Sequence, residues 1–332
     1  MRAFQFPAVT VIIPAFNAAP WLPLLLDGLD QQTFHDFETI FVDDGSTDGT
    51  GALLDAYAAS RDRVNVLHQP NGGLSKARNT AVAAAAGEFV VFVDADDAIS
   101  PSHLADLFSL ATSLDLDVSM CNGWRFHETP GDSMNEPLVT RSRPESVMSG
   151  LEWLEMTLNE GDWWCSAWMT MVRRDFLRRH AIRFMCGVCY EDILWTAMVQ
   201  SKATRVAYTS KQSYYYRWTP GSILSDQSVS KKLWRIDSYV VIIEELWRIA
   251  DSETPRIAEL FKRLAAHEGR ILLTRLAELG SLRRRVAISR ELRKRGVLGR
   301  LFREVETDLH RKRIARAYLL AWLGAVAGLL RV

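Results

Sequence analysis

Cysteine is scarce in this chain: four residues in 332, at 121, 165, 186 and 189. So few thiols exclude a disulfide-stapled scaffold and fit the reduced cysteines of a cytosolic protein. Cys186 and Cys189 form one CxxC (CGVC), but no second pair or nearby histidine completes a zinc site, which favours structural thiols over a metal pair. Long apolar runs are missing too. The longest candidate, "AYLLAWLGAVAGLL" at 317–330, falls short of the roughly 20 residues that cross a bilayer. The opening "MRAFQFPAVTVIIPAF" is interrupted by Pro7 and Pro14, so no secretory leader is expected. An excess of one charge is absent overall, with 40 basic and 40 acidic residues, yet the charges are unevenly placed. Residues 281–316 hold thirteen Lys/Arg against four Asp/Glu, making the basic end a positioned feature. At 48% hydrophobic and 24% charged, the chain is globular rather than disordered, and long enough for a large domain with an appendage.

What is present begins with alternation. "AVTVIIPAF", "FETIFVDDGSTDG", "VNVLHQP" and "EFVVFVDADD" are short, β-branched runs that predict buried strands. Between them, "APWLPLLLDGLDQQTF", "TGALLDAYAASRD" and "LSKARNTAVAAAAG" have helical spacing, the last expected to stop at Gly87. This order implies a parallel sheet with helices on both faces. Ligands of such sheets lie beyond the carboxyl ends of the strands, so Pro14–Asn17, Asp43–Ser46 and Asp94–Asp97 should share one pocket. A polar, Pro-rich stretch at 129–148 reads as a long loop, and from 228 onward the pattern is almost wholly helical.

The strand end "VDADD" needs a reason, because three carboxylates in four positions repel one another. Asp94 and Asp96, at i and i+2, can approach one hard cation, Mg2+ or Mn2+, whose remaining ligands come from substrate phosphates. The plainer alternative is an acidic turn capping the next helix, with Ser100 as cap and Pro101 at its first position. Asp43 and Asp44 could accept from a nucleobase and ribose, or simply form an Asp-Gly turn. Lys76 and Arg78, near the start of a helix that itself favours anions, could meet a diphosphate or be solvated surface charges. Glu191-Asp192 could supply a general base or only complement a helix dipole. Trp163, Trp164 and Trp168 could stack on sugars or form one core face.

Taken together, "VTVIIPAFN", "FVDDGSTDGT", "NGGLSKARNTAVAAAAGEFVVFVDADD" and "YEDILW" resemble the inverting family 2 glycosyltransferases of GT-A fold, closely over residues 8–110 and more loosely to about 225. The resemblance implies a Rossmann-like, mostly parallel α/β sheet with helices on both faces, followed by a helical C-terminal region. It divides the chain into a catalytic domain at 1–225 (a nucleotide-sugar half at 1–110, an acceptor half at 111–225) and a helical region at 226–332. It places Pro14, Phe16, Asn17, Asp43, Asp44, Lys76, Arg78, Asp94 and Ala95 at the nucleotide sugar. Asp96, with Asp94, would hold Mn2+ or Mg2+. Asp192 would be the base and Glu191 its partner, and Trp168, Arg217 and Trp218 would lie toward the acceptor. Phe16 replaces a frequent tyrosine, keeping a stacking face, and Lys76 stands where relatives often carry a small residue. The implied reaction moves a sugar, from UDP by preference, to a glycan hydroxyl. Without the QxxRW motif of processive synthases, one sugar per cycle is expected.

The basic segment 281–316 and the apolar end, with Arg311, Lys312, Arg313, Arg316, Tyr318 and Trp322, describe a helix lying in an anionic membrane surface, or else one docked on protein. On the membrane reading the enzyme sits at the cytoplasmic face of the cell membrane and extends a lipid-linked oligosaccharide for surface polysaccharide. No nucleic-acid module accompanies the basic residues, and the oligomeric state is left open. A non-catalytic nucleotide-sugar-binding scaffold on the same fold is the competing class. A nucleotidyltransferase is disfavoured, because "VIIPAFNAAPW" lacks a Gly-rich phosphate loop.

Overall fold

The structure, a computed structural model, describes residues 6–130, 136–218, 226–304, 312–317 and 319–320. It divides into two compact units, one of residues up to 187 with 191–220, the other of 188–190 with 221 onward.

In the first unit, β1 (Val9–Ala15) is buried at all seven positions and lies parallel between β2 (Phe37–Asp43) and β4 (Phe89–Phe92). The strand β3 (Val64–His68) extends the parallel part beyond β2. Side chains alternate across the sheet, so Val9, Val11 and Ile13 enter one core and Ile12 enters the other. The helices α1 (Leu22–Asp30), α2 (Thr50–Ala58) and α3 (Leu74–Ala84) connect these strands. Pro23 falls in the first turn of α1, where its missing N–H is harmless. Helix α3 ends earlier than Gly87, at Ala84. Gly87 serves a close approach instead: a Cβ there would sit 2.5 Å from the Thr10 nitrogen of β1.

The rest of the sheet is mixed rather than parallel. The order is β3-β2-β1-β4-β8-β6-β9-β5, with β7 paired to β6. Here β5 is Ala98–Ile99, β6 Val118–Phe126, β7 Glu136–Pro137, β8 Thr170–Arg173 and β9 Val206–Arg217. Strand β8 runs antiparallel to both β4 and β6, and β9 runs parallel to β6. The helices of this half are α4 (His103–Ser113), α5 (Gly150–Asn159), α6 (Arg174–Arg179) and α7 (Glu191–Lys202). Ser102, rather than Ser100, holds the N-cap position of α4, and Ser100 instead joins the sheet edge through its N–H to the Ser213 carbonyl.

The second unit is helical: α8 (Val229–Ala250), α9 (Pro255–Ala277), α10 (Leu282–Lys294) and α11 (Val297–Glu304), with further helical residues at 312–317 and 319–320. Within it Tyr190 stacks on Tyr239 at 4.6 Å. Among the described residues no helix is long and apolar enough to cross a membrane. Arg311, Tyr318 and Trp322 lie outside the described residues.

Candidate active site

The carboxyl ends of β1, β2 and β4 are neighbours, because the three strands are adjacent in the sheet. The chain after β1 turns at Asn17, a non-glycine residue at φ 49°. Its N–H donates to Ser46 Oγ at 3.0 Å, and its amide oxygen accepts from the Thr47 N–H at 2.8 Å. Pro14 closes β1 inside the sheet, and Phe16 beside it stands 52% exposed, an aromatic face open to a ligand.

Asp43 ends β2. It accepts from the Ser46 N–H at 3.0 Å and pairs with His68 Nδ1 at 3.0 Å. Burial pushes its pKa up, but the Ser46 and His68 hydrogen bonds prevail and hold it below the usual carboxylate value. Asp44 is used differently from the nucleoside contact expected of it. It accepts from Gln69 Nε2 and from the Gly72 and Gly73 N–H groups at 2.6, 2.9 and 2.7 Å, so its carboxylate shapes the loop that opens α3.

Beyond β4 lie the remaining acids. Asp94 meets Arg78 Nη2 at 2.8 Å, while Arg78 Nη1 reaches Glu191 at 2.8 Å and Asp192 at 2.7 Å. The Arg78 side chain is 1% exposed. Burial alone would favour its neutral form, but Asp192, Asp94 and Glu191 hold it charged. Arg78 therefore gathers carboxylates from α7 and the β4 turn, rather than pointing at a diphosphate. Lys76, two residues earlier, is exposed and makes no ion pair among the described residues, which leaves it available to an anion.

Glu191 and Asp192 open α7, and Asp192 accepts a second hydrogen bond from the Ala167 N–H at 3.2 Å. Burial and the neighbouring Asp192 charge push Glu191 up to about 7. Burial also raises Asp192, against the pull of Arg78. A buried carboxylate whose pKa is raised, and which an arginine and a backbone N–H hold in place, has the properties of a general base.

Asp97 is sealed: it accepts from Tyr214 Oη at 2.6 Å and from the Arg217 N–H at 2.7 Å. Tyr214 Oη also accepts the Asp94 N–H at 3.1 Å, so one phenol bridges both sides of the turn. Asp96 differs from its neighbours. No hydrogen bond from another residue reaches its carboxylate among the described residues, and burial, then the Asp94 charge, pushes it up to about 6. An unpartnered carboxylate raised in this way is a fit receptor for a cation, and Asp94, two residues away, is the natural second ligand. Among the described residues no three His, Cys, Asp or Glu side chains converge on a cage. A cation here would take its other ligands from substrate and water, the usual habit of Mg2+. Ala95, between the two acids, is buried.

The acceptor-side residues are placed unevenly. Trp168 is 7% exposed and stacks on Tyr214 at 4.4 Å and Tyr216 at 5.4 Å, which makes it a core residue rather than a sugar platform. Trp163 is buried, with its Nε1 donating to Gln200. Arg217 supports the acidic turn through its Nε to the Asp96 carbonyl at 2.7 Å and Nη1 to the His127 and Glu128 carbonyls. Trp218 is 46% exposed, with one part of its ring against that of His127 at 5.1 Å. Reading the sequence did not single out Tyr214, His68 or Ala167. Tyr214 sits in the conspicuous "YYYRW" run, whereas a backbone N–H like that of Ala167 leaves no sequence signal.

The mixed sheet, with its acidic turn beyond β4, is the GT-A architecture. A solved structure of Staphylococcus aureus TarS 1–349 in complex with UDP-GlcNAc superposes with TM-score 0.64 at 21% identity, covering 89% of this chain and 88% of that one. The mannosyltransferase PcManGT from Pyrobaculum calidifontis in complex with GDP-Man and Mn2+ does so with TM-score 0.52 at 19% identity, covering 98% and 88%. The sequence profile named Glycosyl transferase family 2 matches residues 10–180, and the chain belongs to that family. The uncharacterized glycosyltransferase YibD of Escherichia coli strain K12 is 37% identical over 209 residues, 63% of this chain and 60% of that protein. The chain thus spans less than two thirds of that relative's length.

Proposed function

We propose that this chain is a metal-dependent inverting glycosyltransferase. It transfers a hexosyl or N-acetylhexosaminyl group from a nucleotide sugar, UDP-linked by preference, to a hydroxyl of a glycan acceptor. The observation that carries this reading is the meeting on Arg78 of Asp94, from the acidic turn, with Glu191 and Asp192, roughly a hundred residues later. Family membership and the UDP-GlcNAc and GDP-Man named for the structural relatives support the donor class.

In this mechanism Phe16 offers its exposed face to the base, and Asp43, kept ionised, accepts from it. Lys76 faces the diphosphate. Asp96 and Asp94 would hold Mn2+ or Mg2+, which when bound neutralises charge on the departing nucleoside diphosphate. The acceptor hydroxyl attacks C1 opposite the breaking C1–O bond, and its proton passes to the Asp192 carboxylate. Arg78 and the Ala167 N–H orient that carboxylate, with Glu191 sharing the arginine. Trp218 lies on the acceptor side. For localisation we propose the inner membrane surface, with a lipid-linked oligosaccharide as acceptor. Supporting this, Arg283, Arg284, Arg293, Lys294 and Arg303 are exposed without an ion-pair partner among the described residues, beside exposed Leu282 and Phe302.

The test is a thermal-shift panel of UDP, GDP and dTDP with and without Mn2+, on wild type, Asp96→Ala and Asp192→Asn. The expected result is a metal-dependent shift with one nucleotide that is lost in Asp96→Ala and kept in Asp192→Asn, while Asp192→Asn loses sugar transfer. Wild-type turnover in Asp192→Asn would remove its role. No shift with any nucleotide would favour a non-catalytic scaffold.

A further inference from the structure

Beside the middle of α7, in the first unit, is a partly open cavity of about 40 Å3. Its wall includes Trp164, Ser166, Thr170, Thr196 and Gln200. Two of these are satisfied within the protein: Gln200 Oε1 accepts from Trp163 Nε1, and Thr170 Oγ1 donates to the Ala167 carbonyl. Three are not. Trp164 Nε1, Ser166 Oγ and Thr196 Oγ1 are buried atoms with no hydrogen-bond partner in the protein, and Ser166 and Thr196 are each 4% exposed. Leaving a buried polar atom unpaired costs about 1–3 kcal/mol, so three around one small space call for a common ligand. The space suits only a small one. A water needs on the order of 10–15 Å3 of such volume and two to four polar partners; the volume suffices, and the lining residues carry three unpartnered polar atoms.

The position of these groups matters more than their number. Ser166 immediately precedes Ala167, whose N–H holds the Asp192 carboxylate. Thr196 lies four residues after Asp192 on α7, on the same helix face. We propose that this cavity is a built water site, and that Ser166 and Thr196, acting through its water, are positioning residues that hold the Ala167–Asp192 contact in register. The water accepts from Trp164 Nε1 and donates to the two hydroxyl oxygens, tying the 164–167 segment to α7. The positioning role rests on the reading of Asp192 as base, whereas the water site does not.

The test is a high-resolution crystal structure of the full chain, together with Thr196→Val, which keeps shape but removes the hydroxyl, and Thr196→Ser, which retains it. Density for a water bonded to the three atoms is expected, and a dry cavity or a side chain turned into it would overturn the site. In Thr196→Val the water should be lost and the Ala167–Asp192 distance should lengthen. The kcat of sugar transfer should then fall roughly tenfold, since small misplacements of a catalytic group are costly. KM for the nucleotide sugar should stay unchanged, and Thr196→Ser should restore both distance and rate. An unchanged distance and rate in Thr196→Val would overturn the positioning role. If the wild type transfers no sugar from any donor, the proposed function fails instead. The water and the Ala167–Asp192 distance in the two variants then decide this inference alone.

Discussion

Two strand ends carry adjacent aspartates and treat them in opposite ways. At the end of β2, Asp43 and Asp44 are satisfied by groups within 3 to 29 residues: the Ser46 and Gly72–Gly73 backbone, Gln69 and His68. At the end of β4, Asp94 and Asp97 are satisfied by Tyr214 and Arg217, more than 115 residues away, and by Arg78. Among the described residues, Asp96 between them is given no hydrogen-bond partner from another residue. The first turn closes on itself and makes a shaped loop. The second is held open by distant parts of the chain, and its middle carboxylate keeps its capacity to bind. Where acids are locally satisfied they build structure, and where one is withheld from every local donor it is available to a ligand.

The strongest way to break this contrast is at Arg78. Arg78→Met would leave Asp94, Glu191 and Asp192 buried without their shared cation, and losing one partner of a buried pair costs about 3–5 kcal/mol. Urea unfolding should show that loss, and Arg78→Lys should recover only part of it, since an ammonium cannot fork among three carboxylates. A stability within 1 kcal/mol of wild type, on the scale of a surface pair, would mean that Arg78 does not organise the acids.

The second prediction tests whether the two turns differ in sign. Asp96 has a folded-state pKa of about 6, above the usual carboxylate value, so its ionisation opposes folding as pH rises from about 4 to 6. Asp96→Asn should therefore be more stable than wild type at pH 7, by on the order of 3 kcal/mol, and equal to it below pH 4. It should also lose Mn2+-dependent nucleotide binding. Asp43 is lowered, so its ionised form supports folding above its unfolded-state pKa, and that support is lost as pH falls through the folded value. Asp43→Asn should be less stable than wild type at pH 7, the difference vanishing in acid. Thermal melts across pH check both, and effects of the same sign at pH 7 would erase the distinction. The smallest effect is expected at Gly45, which has φ +78° and whose added Cβ would lie 2.9 Å from the Asn71 nitrogen. Gly45→Ala should cost about 1 kcal/mol or somewhat more, with little change in Mn2+ binding, because this turn is closed independently of the other.

Legibility in the sequence follows the range of the interactions. Strands β1 to β4 and helices α1 to α3 are readable because their apolar periodicity is local, and the acidic turn stands out because its strand is so apolar. The antiparallel insertion of β8 was not readable, since pairing partners far apart in sequence leave no periodic trace. Trp168 was ambiguous for the same reason: its spacing fits a sugar platform or a core face, and only the tyrosines of β9 stacked against it decide for the core.

By itself, the sequence determined the alternation of elements, the Asp-rich strand ends and the acidic start of α7, because each depends on neighbours within a few residues. Only the tertiary structure decided which acids would be free. Arg78 is drawn to three carboxylates from two remote segments because a charge buried at 1% exposure must be paired. With Asp97 held by Tyr214 and Arg217, Asp96 is the carboxylate of the turn that, among the described residues, has no hydrogen-bond partner from another residue.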